Sequence, residues 1–332
     1  MSFLSPGSKL NNQWQRGYIV ALLLAAVAEL SSLKGAPTTL PSTEGSISSA
    51  NALQPTIEPA QEDIVHGLIN LDFTDHHLTS RGINLQNEGL VTQQLLRLDW
   101  ELYHPQPAPD LTINEVTLTT APWNDIDTHQ SGVDPGNWNE IDPTIGPNMK
   151  FLKDWTFESP FTAFVSETSS YPTCWAWDPR LTYHDHFIKN FSINPYVEFF
   201  DELDNKITVV LVPAQSQKSY YGAVGMDPTY AFQQIPLKVE LPTYFTIPGE
   251  NFYQRADGSG GGTDVGLFST TLKATVPLDC ISPSYGKWSV YVAVQYDYLN
   301  NPGLLDGNQI VGADHSRKRS IVVFHGGITF RF

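Results

Sequence analysis

The chain has 332 residues, with 35 acidic against 19 basic side chains and a formal net charge of -16. That balance excludes a general nucleic-acid binder, which needs a basic face, and two cysteines exclude a disulfide-stapled scaffold. Charged residues make up 16% and aromatics 12%, whereas soluble domains carry about 25% charge; such a bias suits a chain that turns part of its surface to lipid.

Lys9 and Arg16 precede an apolar run from Tyr18 to Ala28, too short to cross a bilayer as a helix, and Ala26-Val27-Ala28 before Glu29 fits a small-x-small cleavage site. Residues 1–28 are therefore expected to be an export signal, and their removal leaves 35 acids against 17 bases, or -18. Residues 29–63 are rich in Ser, Thr, Pro and Ala and read as a flexible periplasmic lead-in. No later stretch is apolar for long enough to form a membrane helix.

From Val65 onward apolar and polar residues alternate with a period of two, the mark of strands with unlike faces. Ile69, Leu71 and Phe73 interleave with Asn70, Asp72 and Thr74; Leu96, Leu98, Trp100 and Leu102 oppose Arg97, Asp99, Glu101 and Tyr103. Val239, Leu241, Phe245 and Ile247 stand opposite Lys238, Glu240 and Tyr244, and Val290, Val292 and Val294 alternate with Tyr291, Ala293 and Gln295. The pattern predicts about twelve strands, near 65–78, 91–103, 111–121, 138–149, 154–167, 174–186, 191–203, 217–232, 236–248, 263–279, 287–299 and 319–332, and no amphipathic helix. The last of them puts Phe324, Ile328, Phe330 and Phe332 on one face and stops on the aromatic Phe332, as expected of a barrel-closing strand that also addresses the barrel-assembly machinery.

The connections sort by parity. Those after the second, fourth, sixth and eighth strands are short, and most of those after odd-numbered strands are long, the arrangement of an outer-membrane barrel with its long loops outside the cell. A soluble sandwich has no reason for such sorting. In lipid every backbone donor and acceptor needs a partner within the protein, and without a spanning helix a closed sheet is the remaining solution. The expected fold is thus all-β, an antiparallel up-and-down transmembrane β-barrel of about 12 strands over residues 64–332, in the bacterial outer membrane. Aromatic pairs toward strand ends, among them Trp100 with Tyr103, Trp155 with Phe157, Trp175 with Trp177, and Trp288 with Tyr285, suit interfacial girdles.

The polar strand faces supply candidate pore-lining residues: Asp72, Arg97, Asp99, Glu101, Glu158, Arg180, Glu198, Lys238, Glu240 and Lys273. Acids outnumber bases among them, which favours cations or polar solutes. Asp201-Glu202-Leu203-Asp204 and the pair Asp125 and Asp127 offer oxygen ligands of the kind Ca²⁺ takes, but solvated loop charge explains such clusters more simply, so no metal and no cofactor are expected. The Gly258 to Gly262 run opens no helix and lacks a phosphate-loop lysine, and reads as a flexible surface loop. Basic residues 315–319 precede the final strand on the outer side. Whether Cys174 and Cys280 pair is left open. Nine histidines are scattered without a serine partner, so no catalytic set is expected.

Several short segments carry a family likeness: Leu71-Asp72-Phe73 followed by Ser80-Arg81-Gly82, Trp138-Asn139-Glu140-Ile141-Asp142, Asn194-Pro195-Tyr196-Val197-Glu198, Tyr221-Gly222-Ala223-Val224-Gly225-Met226-Asp227-Pro228, and Tyr285-Gly286-Lys287-Trp288. Across residues 64–332 the chain resembles a family of uncharacterised Gram-negative outer-membrane β-barrel proteins of porin-like type. The resemblance implies a membrane barrel and no assigned reaction. The function expected is a narrow porin-like channel for small polar or cationic solutes, in contact with outer-membrane lipids, with a non-conducting structural or adhesion barrel as the alternative and a membrane-embedded lipid hydrolase a distant third. Twelve strands enclose a lumen between the filled eight-stranded and the open sixteen-stranded case, so a narrow or loop-occluded pore is expected.

Overall fold

The alternating segments form twelve strands in a computed structural model of the chain, which describes residues 64–105, 112–129, 137–169, 171–208 and 211–332. The export signal and lead-in expected over 1–63 lie outside the described residues. The strands are β1 (Val65–Thr74), β2 (Val91–Tyr103), β3 (Ile113–Asp127), β4 (Trp138–Phe151), β5 (Trp155–Glu158 and Phe161–Ser166) and β6 (Cys174–Trp177 and Arg180–Tyr183). They continue with β7 (Phe191–Ser192 and Pro195–Asp204), β8 (Tyr220–Met226 and Thr229–Ala231), β9 (Lys238–Glu240 and Thr243–Pro248), β10 (Leu267–Pro277), β11 (Lys287–Leu299) and β12 (Ser320–Arg331).

Each strand pairs antiparallel with the next, and β1 pairs with β12 from Leu68↔Arg331 to Thr74↔His325. The sheet therefore has no free edge. The fold is a closed, antiparallel twelve-stranded barrel, as the alternation predicts. No described helix is long and apolar enough to cross a membrane.

Outward side chains are apolar all the way round: Ile69, Leu71 and Phe73 on β1, Leu96 and Trp100 on β2, Val197 and Phe199 on β7, Phe245 and Ile247 on β9, Val294 on β11 and Val322 and Ile328 on β12 are all exposed. A soluble protein does not carry a continuous belt of that kind, and lipid is the solvent it suits. Rings gather where the belt ends. Phe151 with Trp155 and Trp155 with Tyr183 on one side, and Trp288 with Phe330 and Phe330 with Phe332 on the other, form contacts at the short-turn rim, with centroids 4.5 to 6.5 Å apart.

The closing contact is a glycine under a ring. Gly67 N–H donates to Phe332 O at 2.8 Å and Phe332 N–H to Gly67 O at 3.1 Å, and a Cβ on Gly67 would stand 2.1 Å from the Phe332 ring. Only hydrogen fits there, so the terminal aromatic lies flat on the first strand.

Prolines shape the wall. β3 runs six residues past its expected end at 121 because Pro122 faces Pro143 across the β3–β4 ladder; each proline lacks an N–H, and pairing lapses instead at Leu96 and Arg97 toward β2 and at Asp142 and Pro143 toward β5. The five strands from β5 to β9 are each split, at Pro160, Pro179, Pro195, Pro228 and Pro242. Single bonds bridge the gaps, Asp178 N–H to Pro160 O at 3.0 Å and Leu241 N–H to Pro228 O at 2.8 Å among them. The breaks of β5 and β6 adjoin, as do those of β7, β8 and β9, while Phe199 N–H in the unbroken part of β7 donates to Pro179 O at 2.9 Å.

A helix that periodicity does not predict, α1 (Pro302–Ile310), lies in the connection after β11. It is short and holds Gly303 and Gly307, but Asn301 caps it, accepting from Gly303 N–H at 2.8 Å and Leu304 N–H at 3.3 Å, with Pro302 in the first turn. Cys174 lies at the long-loop end of β6 and Cys280 in the turn after β10 at the opposite end, and both are free thiols.

Replacing Gly67 by Ala is expected to destabilise the folded barrel by about 1–3 kcal/mol through overpacking against Phe332. Adding Phe332→Ala should recover part of that loss, a non-additivity read from the urea midpoint at which the faster-migrating folded band disappears on detergent gels.

Candidate functional site

Strand alternation turns the polar face of every strand into the barrel, and the interior divides into two unlike halves. At the long-loop end it is a packed core. Ile83 from the loop 75–90, Phe252 and Tyr253 from the loop 249–266, and Leu304 and Leu305 from α1 pack against the wall residues Phe164, Phe200, Tyr221, Leu267, Leu299 and Val323. Phe252 meets Phe200 and Tyr221 edge to face at 6.0 and 5.1 Å. The glycine-rich run is part of this core rather than a free surface loop: Gly261 N–H donates to Tyr253 O at 2.6 Å, and Asn301 Nδ2 donates to Gly261 O and Gly262 O at 3.2 Å. Part of the basic stretch is also engaged, since Arg317 pairs with Asp306 of α1 and Lys318 with Asp314 at 2.6 Å.

Toward the short-turn end the interior is charged, and the ten sequence candidates lie in it. Arg97 on β2 binds both oxygens of Asp99 at 2.9 Å and reaches Glu158 on β5 at 3.8 Å. That contact spans β3 and β4, which only inward-pointing side chains can do. Asp72 accepts from Tyr291 Oη at 2.8 Å and lies 2.7 Å from His325 Nδ1, while the Lys273 ammonium stands 3.9 Å over the Tyr291 ring. Lys238 and Glu240 pair at 2.8 Å along β9. Arg180 pairs with Asp227 and lies 3.5 Å over the Tyr196 ring, next to Glu198, which accepts from Tyr221 Oη at 3.3 Å. Glu101 sits at the rim, 3.1 Å from His104. The candidates fall into three groups rather than one ring: β1 with β9, β10 and β11, where Glu240 stands opposite Lys273 in the ladder, β2 with β5, and β6 to β8.

Between the halves lie residues that strand alternation does not single out. A cleft of about 670 Å³ is lined by Arg81, Glu140, Tyr171, Lys206 and Lys218 among others. Arg81 is 8% exposed; its guanidinium stands 4.7 Å over the Phe164 ring and 5.9 Å from Phe200, and among the described residues it makes no side-chain hydrogen bond or ion pair. Gly82, at φ 87°, makes the turn that inserts it. Tyr171 Oη donates to Glu140 Oε1 at 2.8 Å across the cleft wall. Apart from Glu140 on β4, these residues come from loops, where no periodicity marks a facing direction.

Two acidic clusters depart from the solvated-charge reading. Glu202 and Lys206 form a buried pair at 3.4 Å; Glu202 also accepts from Ile207 N–H at 3.0 Å and Ser219 N–H at 2.8 Å, and Lys206 Nζ donates to Asn251 O at 2.7 Å. Burial pulls the Lys206 ammonium below its ordinary range and the Glu202 carboxylate opposes that shift. Asp125 and Asp127 are also buried, at 0% and 2% exposure, because β3 extends through them and the loop 75–90 folds over them. His77 from that loop stands 3.0 Å from Asp125 and 3.7 Å from Glu140. Burial alone lowers its affinity for a proton, yet Asp125, Glu140 and Asp127 outweigh it and raise its pKa to about 9.

No protein-family model and no curated protein matches this sequence. Among solved structures the chain is similar to the NanC porin (8% identity, covering 79% of this chain and 98% of that one, TM-score 0.45). It is also similar to the KdgM porin (10%, 80% and 99%, TM-score 0.40) and to the COG4313 outer membrane channel from Pseudomonas putida F1 (14%, 83% and 100%, TM-score 0.48).

Removing the Glu202 carboxylate as Glu202→Ala leaves the Lys206 ammonium buried without its counter-charge, at a cost of about 3 kcal/mol. Hydrogen exchange at the Ile207 and Ser219 amides should accelerate while β10 to β12 stay protected.

Proposed function

We propose that this barrel is a narrow porin-like channel of the bacterial outer membrane that passes small polar or cationic solutes. The observation that carries this reading is the charged interior of the short-turn half, where Asp72, Asp99, Glu158, Asp178, Glu198, Asp227 and Glu240 face Arg97, Arg180, Lys238 and Lys273. A barrel that served only as an anchor would gain stability by filling this space with apolar side chains, as its own long-loop half does. The excess of carboxylates sets the preference for cations.

In this reading solutes enter by the cleft and pass Arg81 and Glu140, which line it. Arg81 is then the constriction: a fixed positive charge, held by two rings, at the junction of cleft and lumen. Long loops on the side away from both barrel termini face the cell exterior, and the Phe332 end faces the periplasm, where the assembly machinery would engage it.

Refolded protein in planar bilayers is expected to give small single-channel steps with a reversal potential biased toward cations. Arg81→Ala should raise the step size about twofold and strengthen the bias. Absence of conductance in both proteins would convert the reading to a plugged structural barrel.

A further inference from the structure

The cluster around His77 is built differently from the ion pairs of the lumen. His77 Nδ1 and Asp125 Oδ2 are 3.0 Å apart, yet the ring nitrogen and both Asp125 oxygens lack a hydrogen-bond partner, because the groups are not aligned to share a proton. Asp125 is fully buried, so those oxygens have no water to turn to. One ligand atom each from His77, Asp125 and Asp127 lies within 4.8 Å of the others. Asn139, 2% exposed, directs its amide at Asp127 and leaves Oδ1 without a partner, and Glu140 Oε2 stands 3.7 Å from His77 Nε2.

Charge points the same way. Three carboxylates, Asp125, Asp127 and Glu140, meet one imidazole in a closed pocket whose other wall is the Trp123 ring, 6.0 Å from that of His77. Isolated buried carboxylates are costly unless paired or bound to a metal. An imidazolium supplies one positive charge, and misaligned contact at 3.0 Å wastes it as a hydrogen-bond donor. Two ligands of one tetrahedral ion with bonds of about 2.0 Å stand about 3.3 Å apart without bonding each other, which is the relation of His77 to Asp125.

We propose that His77, Asp125 and Asp127 bind one divalent transition-metal cation, with Glu140 or the Asn139 amide oxygen completing the shell. One imidazole with carboxylates is a donor set for Zn²⁺ or Mn²⁺; Ca²⁺ takes six to eight oxygens and gains little from a ring nitrogen. The Asp residues sit on the rigid end of β3, and His77 comes from the loop 75–90. The ion therefore clamps that loop, with Arg81 four residues further along it, to the inside of the wall. This assignment is independent of whether the lumen conducts.

The test uses untagged, full-length, folded protein in detergent, stripped with EDTA and titrated calorimetrically with ZnCl₂, MnCl₂ and CaCl₂, with bound metal counted by elemental analysis. One Zn²⁺ or Mn²⁺ per chain is expected, with affinity lost at least tenfold in His77→Ala and in the near-isosteric Asp125→Asn, and with Zn²⁺ raising the unfolding midpoint of the parent alone. Folding of each variant is read from its gel mobility before boiling. Should a variant not fold, the parent's stoichiometry and midpoint shift decide. Preference for Ca²⁺, binding that survives both substitutions, or no stoichiometric ion in the folded parent overturns the assignment.

Discussion

A backbone in hydrocarbon has no water to satisfy its N–H and C=O groups, and the rest of this structure follows from that one constraint. It requires that β1 find β12, and the sequence meets the requirement with seven residue pairs and a terminal ring lying on Gly67. Once the sheet closes, alternation has only two destinations, lipid and lumen. The outward belt can then be uniformly apolar, and all remaining chemistry is confined to the inside and the two rims.

Inside, hydrophobic packing and charge are kept apart by height. The loops 75–90 and 249–266 and α1 fill the long-loop half as a soluble protein fills its core, with Phe252, Leu267, Leu299 and Leu304 fully buried. The charged half below cannot be filled in that way without desolvating carboxylates, and it keeps its groups in pairs, some along one strand and others between strands. Arg81 stands at the boundary, its guanidinium over the Phe164 and Phe200 rings of the apolar side.

The barrel was legible because a period of two survives twelve times over, and its boundaries mostly fell within a few residues of those observed. Inward placement of Arg97, Asp99 and Glu240 needed nothing beyond parity. Prolines misled twice: Pro122 ended β3 on paper but not in space, because Pro143 opposes it, and the five splits from Pro160 to Pro242 lay inside segments that looked continuous. Loops hid the remainder. His77, Arg81 and Lys206 owe their burial to contacts with residues distant in the chain, and no local pattern announces such contacts. Asp125 and Asp127 looked like solvated loop charge for the same reason, since nothing near them names His77 as the residue that covers them. The α1 helix offered only the Asn301-Pro302 start signal, too little against its two glycines.

The row of prolines also divides the wall mechanically. From β10 through β12 to β1 and β2 the ladders run unbroken, thirteen residues long in β11, and that arc resists bending as a continuous plate. From β5 to β9 every strand carries a joint, at one register position in β5 and β6 and at another in β7 to β9, so flexural compliance is concentrated on one side of the cylinder. Lateral pressure from the bilayer would flatten that side first, and the Arg180, Tyr196 and Asp227 contacts, mounted on the jointed arc, would register the change in cross-section before any residue on the stiff one.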